Sequence, residues 1–451
     1  MVSALVIDLY QLTMIAGYVA LGRHLSTRAS FELFVRRLPR NRNFMVAAGV
    51  EQALSLLESL RFQDAEVAWL ERQPQFASVP ASFFEYLRGF RFSGDVWSVR
   101  EGTPVFANEP LLRVTAPIAE AQAVETALLA IVNFQTSIAS KAARVVIAAE
   151  GRPVMEFGAR RAHGLEAALY AARAACLAGC AGTSVVEAGR RWAVPLSGTM
   201  AHSWVTAASD EISAFRDYEA LFGEHAVLLL DTYDTVAAAR AIVARGLRPP
   251  AVRLDSGDLA SLSREVRTIL DKGGLHETRI LASGDLDEHE IARLIAAGAS
   301  IDGFGVGTSV ATSIDAPALG GVYKLVEVED ARGPRLVRKT STGKATWPGR
   351  KQVWRVIDGP RAVRDIVAFA DEPAVTGGRP LLEPVMLAGA IVRREPFAEA
   401  RAWCAERVAE LPADLRRIDP ASAYEVRPSE LLRAALGRPE GGHSQLFRAP
   451  A

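Results

Sequence analysis

The chain has 451 residues, 49% of them hydrophobic, which is enough to bury a large core and to form two domains or one large domain with an appended layer. Lys plus Arg and Asp plus Glu both total 52, so overall charge gives no reason to expect a nucleic-acid or anionic-membrane partner, and any anion site must be local. Three cysteines, Cys176, Cys180 and Cys404, are too few for a disulfide framework and read as reduced packing residues; with no basic leader and no apolar run of roughly 18 residues, the pattern predicts a cytoplasmic protein.

In chain order, DLYQLTMIAGY opens on an acid and puts Tyr10, Met14 and Tyr18 on one helical face, most simply a core stripe. EQALSLLESL and AEVAWLERQ predict amphipathic helices, and SVREGTPVFANEPLLRVTAP predicts two extended runs with turn residues between them, together an α+β layer. From about residue 154 to 330 the pattern alternates. Strand-like runs occur at VMEF, TSVV, AVPLSG, AVLLLDT, AVRLDS, RILASG, SIDGFGVG and GVYKLVEV. Helical stretches such as LEAALYAARAACLAG, DTVAAARAIVARG, LASLSREVRTILDKGG and LDEHEIARLIAAG separate many of them. Repeated strand-then-helix units require right-handed crossovers and a parallel sheet, so a closed α/β barrel is the leading architecture and an open doubly wound sheet the alternative. After 330 charge density rises, and the polar tail RPEGGHSQLFRAPA reads as loose.

The ends of the strands carry the polar chemistry. VMEF runs into Glu156, Phe157, Arg160 and Arg161; AGTSVV offers Thr183 and Ser184; AVPLSGTMAH delivers Ser197 and His202. Further on come Asp231 and Asp234, then Arg253, Asp255 and Asp258, then Ser283 and Asp285, then a glycine-rich turn spanning 303–308. In an α/β barrel the carboxyl ends of the strands share one mouth, so these groups should share a pocket. Asp234, Asp258 and Asp287 fit helix N-caps, whereas Asp231, Asp255 and Asp285 sit where the strands themselves end. A lone His after a strand is more often structural than catalytic, and Ser184 also suits a capping role. The glycine-rich turn lacks dinucleotide-fingerprint spacing and no P-loop occurs, yet such a turn can present N–H groups to phosphate. No histidine spacing suits a protein-held metal, so a magnesium ion would arrive on substrate phosphates.

Only six of the 52 basic residues are Lys, and Lys324, Lys339, Lys344 and Lys351 fall close together. Two readings stay open: a need for compact ammonium groups, or a solvated loop.

Ten segments in order, DLYQLTMIAGY, EGTPVFANEPLL, EFGARRAHG, AGTS, SGTMAHSW, LLLDTYDT, VRLDSGDL, GVGTSV, GGVYKL and KTSTGKATWPGRKQVWR, make the chain resemble the nicotinate phosphoribosyltransferase family from about residue 5 to residue 355. Val185 and the pair Trp192 and Ala193 depart from the family's more usual residues. The resemblance implies an irregular α/β barrel over 116–334, with an α+β sandwich domain built from 1–115 and 335–451. It implies nicotinate plus phosphoribosyl pyrophosphate giving nicotinate mononucleotide and pyrophosphate in NAD salvage, coupled to ATP hydrolysis through a phosphohistidine. By position, His202 matches the phosphorylated His, Asp231 its carboxylate partner, Phe157 the ring-stacking aromatic, and Tyr18 the aromatic supplied by a neighbouring subunit of a homodimer. Arg160, Gly305, Gly307 and Thr308 match phosphate contacts; Asp255 and Asp285 match ribose and magnesium-linked positions, and Arg253 lies beside ring and ribose.

A nicotinamide-specific relative would share nearly all of these segments, but it places an acid where Ser184 stands. A non-catalytic ligand sensor would need a gap at His202, Asp231 or Asp255, and all three are present. A barrel aldolase would need a Schiff-base Lys or a metal cluster, and the alternating region holds only Lys272 and Lys324.

Overall fold

The alternating segment forms a six-stranded parallel sheet in the computed structural model, which describes residues 3–341, 344–421 and 423–437. The tail RPEGGHSQLFRAPA, together with Thr342 and Gly343 of the lysine-bearing segment, lies outside the described residues. The strands are Val154–Glu156, Gly182–Thr183, Val227–Leu229, Ala251–Leu254, Arg279–Ala282 and Gly303–Val306. A parallel bridge from Thr183 to Leu196 adds one more position beside Gly182–Thr183. Read from Val227–Leu229, neighbours follow chain order to Gly303–Val306 and then wrap to Val154–Glu156, Gly182–Thr183 and Leu196. That cyclic order belongs to an α/β barrel. Among the described residues no ladder joins Leu196 to Val227–Leu229, so the barrel is irregular and partly open.

Leu228, Val252 and Ile280 are wholly buried in adjacent strands, each contributing about 1.5–3 kcal/mol by removal from water. The predicted helices form as Leu165–Leu177, Thr235–Ala244, Leu259–Lys272 and Glu288–Ala296. Asp234, Asp258 and Asp287 cap the last three, their carboxylates accepting from the amides of Ala237, of Ser261, and of His289 and Glu290.

Three strand-like runs differ from expectation. AVPLSG contributes only the Leu196 bridge, because Pro195 has no N–H to extend a ladder. In TSVV the strand stops at Thr183, and Val186 begins the helix Val186–Trp192. GVYKLVEV lies in the strand Gly321–Asp330, which pairs antiparallel with Arg28–Val35 and so leaves the parallel sheet.

Contacts divide the described residues into two compact units, one of 137–317 with 416–420, the other of those in 3–136, 318–415 and 421–437. These limits differ from 115/116 and 334/335 because Gly321–Asp330 belongs to the sheet of Arg28–Val35, and because the first division falls inside the helix Glu125–Ala148.

The second unit is built on a seven-stranded sheet with Arg28–Val35, Pro110–Pro117 and Asp95–Val99 near its middle, and on a four-stranded sheet around Lys351–Asp358 and Arg361–Phe369. Phe31 and Tyr323 stack at 4.8 Å between centroids in its core. The lysines do not act together. Lys351 is buried, 2.7 Å from Glu32, and donates to the Trp347 and Gly349 carbonyls; burial pushes its ammonium down and Glu32 opposes that push. Lys339 and Lys344 are exposed. In the helix Leu9–Ala20 the core face is Leu12, Ile15, Ala16 and Val19, while Tyr10 and Met14 are 47% and 38% exposed. Of the expected core stripe Tyr10 and Met14 are turned outward, because the 3.6-residue period gives the inner face to the other apolar set, and Tyr18 alone is half-buried.

Candidate active site

All six parallel strands present their carboxyl ends along one edge of their unit, where open α/β and barrel proteins bind ligands. Phe157 follows the first strand and is fixed there by its N–H, which donates to the Val306 carbonyl at 2.8 Å. Its ring lies over Gly305: a Cβ at 305 would come within 2.6 Å of ring carbons, so only glycine leaves the aromatic face in place. Ser283 flanks the same spot and donates its hydroxyl to Asp255.

Glu156 ties two strand ends together. Its carboxylate accepts from the Gly158 N–H and, at 2.6 Å, from the Thr183 hydroxyl, and Thr183 in turn accepts from the Val185 N–H. Burial pushes the Glu156 carboxyl up, against the pull of these hydrogen bonds. The turn bearing Arg160 and the turn bearing Ser184 are thereby held to one anchor. Ser184 is exposed; Val185 is the N-cap of Val186–Trp192 and makes no side-chain cap, so the capping role considered for Ser184 is absent.

Arg253 is the electrostatic hub. Desolvation pushes its guanidinium down, Asp255 and Asp231 oppose this, and Arg160 adds to it, so each of these three side chains lies within electrostatic reach of Arg253. Nη1 donates to Thr199 at 2.9 Å, while Nε is buried without a partner. Asp231 accepts from Ser256 at 2.5 Å through Oδ2, and its buried Oδ1 has no partner. Buried polar atoms left unmatched cost free energy and mark places where a further group completes the site. Asp255 and Asp285 line a cleft of about 650 Å³ together with Ser256, Gly257, Gly284 and Asp287.

His202 stands exposed at the start of the helix His202–Ala207, with Nδ1 3.1 Å from the Thr232 hydroxyl. Asp231 is not its hydrogen-bond partner; the neighbouring residue takes that place, because Asp231 is turned to Ser256. The structure thus brings Phe157 onto Gly305 and puts Arg160, Asp231 and Asp255 within electrostatic reach of Arg253, with Ser184, Asp285, Gly307, Thr308 and His202 on the same strand-end loops. Tyr18 belongs to the other unit, half-buried against its core clusters. Sequence reasoning overlooked Thr199, Thr232 and Ser256. The signal for two of them was a hydroxyl directly after a strand-end acid, at Asp231 with Thr232 and at Asp255 with Ser256. It also overlooked the helix Glu211–Phe222, where Tyr218 stands close enough to Arg253 for the guanidinium to act on its phenol.

Comparison with known proteins agrees over nearly the whole chain. Residues 5–133 match the model of the nicotinate phosphoribosyltransferase N-terminal domain, and residues 153–329 match that of the nicotinate phosphoribosyltransferase family. Nicotinate phosphoribosyltransferase pncB2 of Mycobacterium tuberculosis is 43% identical over 446 residues, 97% of this chain and 94% of the relative. The Bacillus subtilis nicotinate phosphoribosyltransferase is 44% identical over 376 residues, 81% of this chain and 76% of its own length. The crystal structure of human nicotinic acid phosphoribosyltransferase superposes with a TM-score of 0.83 at 29% identity, covering 95% of this chain and 99% of that one. The chain is a phosphoribosyltransferase and belongs to the nicotinate phosphoribosyltransferase family.

Proposed function

We propose that the chain joins nicotinate to phosphoribosyl pyrophosphate, releasing pyrophosphate and forming nicotinate mononucleotide for NAD salvage, with ATP hydrolysed through a phosphohistidine at His202. The observation that carries this reading is the convergence of Phe157, Arg160, Arg253, Asp231 and Asp255 on one strand-end edge with buried polar atoms of Arg253 and Asp231 unmatched. The Phe157 face stacks on the pyridine ring. Ser184 and Arg253 donate to its carboxylate, Asp255 and Asp285 take ribose hydroxyls, and Arg160 with the turn holding Gly305, Gly307 and Thr308 contacts phosphate.

Displacement at the ribose anomeric carbon passes through an oxocarbenium-like state: the bond to pyrophosphate loosens before the pyridine nitrogen bonds, and nearby carboxylates stabilise the positive charge that develops. Asp255 and Asp285 share one cleft. That donor set suits a magnesium ion carried in on substrate phosphates, which offsets negative charge on the departing pyrophosphate when bound. Thr232 lies against Nδ1 of His202; in the tautomer whose Nδ1–H donates to that hydroxyl, the ring keeps its Nε2 lone pair for attack on the γ-phosphorus of ATP, with ADP leaving.

The outward-facing Tyr10 and Met14 of the helix Leu9–Ala20 favour a homodimer in which Tyr18 completes the partner's site; a hydrodynamic mass of one chain for the active protein would contradict this. Three buried cysteines, none in a disulfide, suit a reducing cytoplasm, and among the described residues no helix is long and apolar enough to cross a membrane. Incubation with γ-labelled ATP tests the central step. Acid-labile label should appear on the wild type and be absent from His202→Ala, and label retained by that variant would overturn the assignment.

A further inference from the structure

The parallel-sheet unit buries a second set of charges that the proposed chemistry does not use. Lys141, on the helix Glu125–Ala148, is 1% exposed, with its ammonium 2.5 Å from Glu288 Oε2 and 3.0 Å from Asp315 Oδ1. Arg144 places Nε 2.8 Å from Glu288 Oε1 and donates through Nη2 to the Ile418 carbonyl. Burial pushes the Glu288 carboxyl up, and the contacts with Lys141 and Arg144 outweigh that push and hold it below the usual range. Packing alone does not call for such a group, since a buried ion pair gains little net stability over apolar side chains of similar volume.

What the pair joins is informative. Glu288 opens the helix Glu288–Ala296, directly after the loop bearing Asp285. In that loop Gly284 and Asp285 both adopt left-handed backbone, with φ of 96° and 48°, and a Cβ on Gly284 would overlap the Asp255 carbonyl oxygen. The loop has little freedom except at its end, where Glu288 is tied down. Asp315 follows the turn holding Gly305, Gly307 and Thr308. Its segment is pinned where Ser137 and Ser313 donate hydroxyls to the Ala316 carbonyl at 3.0 and 3.1 Å.

We propose that Lys141 is a positioning residue for phosphoribosyl pyrophosphate: one buried ammonium clasps the loop after Arg279–Ala282 to the segment after Gly303–Val306, fixing Asp285 relative to the phosphate turn. This rests on the proposed reading of those two places as ribose and phosphate contacts. The ring pocket around Phe157 and Ser184 has anchors of its own, the Glu156 carboxylate and the Val306 carbonyl, and neither lies in the two segments that Lys141 joins, so the clasp should act more on phosphoribosyl pyrophosphate than on nicotinate.

Steady-state KM values for both substrates, with melting temperatures, test this on Lys141→Met, Lys141→Arg and Asp315→Asn. Lys141→Met should raise KM for phosphoribosyl pyrophosphate at least about tenfold while leaving KM for nicotinate within about twofold, and Lys141→Arg should recover most of the loss. A folded Lys141→Met variant with unchanged KM for phosphoribosyl pyrophosphate, or with both KM values rising together, overturns the clasp. If that variant does not fold, Asp315→Asn decides by the same readout. Asp285→Asn separates the clasp from the reading beneath it. A raised KM for phosphoribosyl pyrophosphate there, with none in Lys141→Met, removes the clasp alone; an unchanged KM in Asp285→Asn removes both.

Discussion

In the sandwich unit Glu32 faces Lys351 at 2.7 Å and Asp365 faces Arg355 at 2.6 Å, and none of the four side chains is more than 3% exposed. At the strand ends of the parallel sheet, Asp231 and Arg253 each keep a buried polar atom with no partner, and His202, Arg160 and Ser184 stand exposed. The same residue types serve two ends. Ion pairs shut inside a core hold a scaffold, whereas charges on loops that reach solvent at one sheet edge stay open to a ligand. Substitutions in the two regions should therefore fail differently, the first in stability and the second in substrate constants.

The largest effect is expected in the scaffold. Lys351→Met leaves Glu32 buried without its cation and should cost about 3–5 kcal/mol of unfolding free energy. Chemical denaturation measures that loss, and KM for nicotinate in the folded fraction should stay at its wild-type value. A normal denaturation midpoint with altered KM would reverse the two roles.

Next is the acid-selective contact. Ser184→Asp sets a like charge against the nicotinate carboxylate and should lower kcat/KM for nicotinate at least about a hundredfold, equivalent to ~2.7 kcal/mol, while narrowing or reversing the preference over nicotinamide. Efficiencies for both substrates in both proteins are sufficient. An unchanged ratio would move acid recognition to Arg253 or to the segment 339–351.

The smallest effect concerns Glu211, whose carboxyl burial and the neighbouring Asp234 push up to about 7. Its folded value lies above the ordinary carboxylate range, so the neutral acid favours the fold; the stability it contributes below a pH of about 4.5 is lost as pH rises through about 7. Glu211→Gln stays neutral throughout. It should change stability little at pH 5 and raise it by about 1 kcal/mol at pH 8, a figure reduced for solvent screening of a partly exposed group. Equal shifts at both pH values would show that charge is not the cause.

Much of this division was legible in the sequence. Short apolar runs ending in Asp or Ser located the parallel strands, and the position of each acid separated the caps Asp234, Asp258 and Asp287 from the strand-end residues Asp231, Asp255 and Asp285. What stayed hidden depends on partners distant in the chain. GVYKLVEV has strand character, but nothing local says that it pairs with Arg28–Val35. Asp231 and Thr232 are adjacent, and only the fold decides which one turns to His202 and which to Ser256. Lys351 resembled its loop neighbours until Glu32, 319 residues away, was seen to receive it.

The central claim is that the strand-end cluster is a site for a negatively charged pyridine and phosphoribosyl pyrophosphate, driven by ATP. It is tested most directly by supplying the purified protein with nicotinate, nicotinamide or quinolinate in turn, with phosphoribosyl pyrophosphate, with and without ATP, and identifying the products by mass. Nicotinate mononucleotide should form from nicotinate in large excess over any product from the other two, faster with ATP and with ADP released alongside it. Preferential turnover of nicotinamide or quinolinate, or formation of nicotinate mononucleotide with no ADP released, would contradict the account.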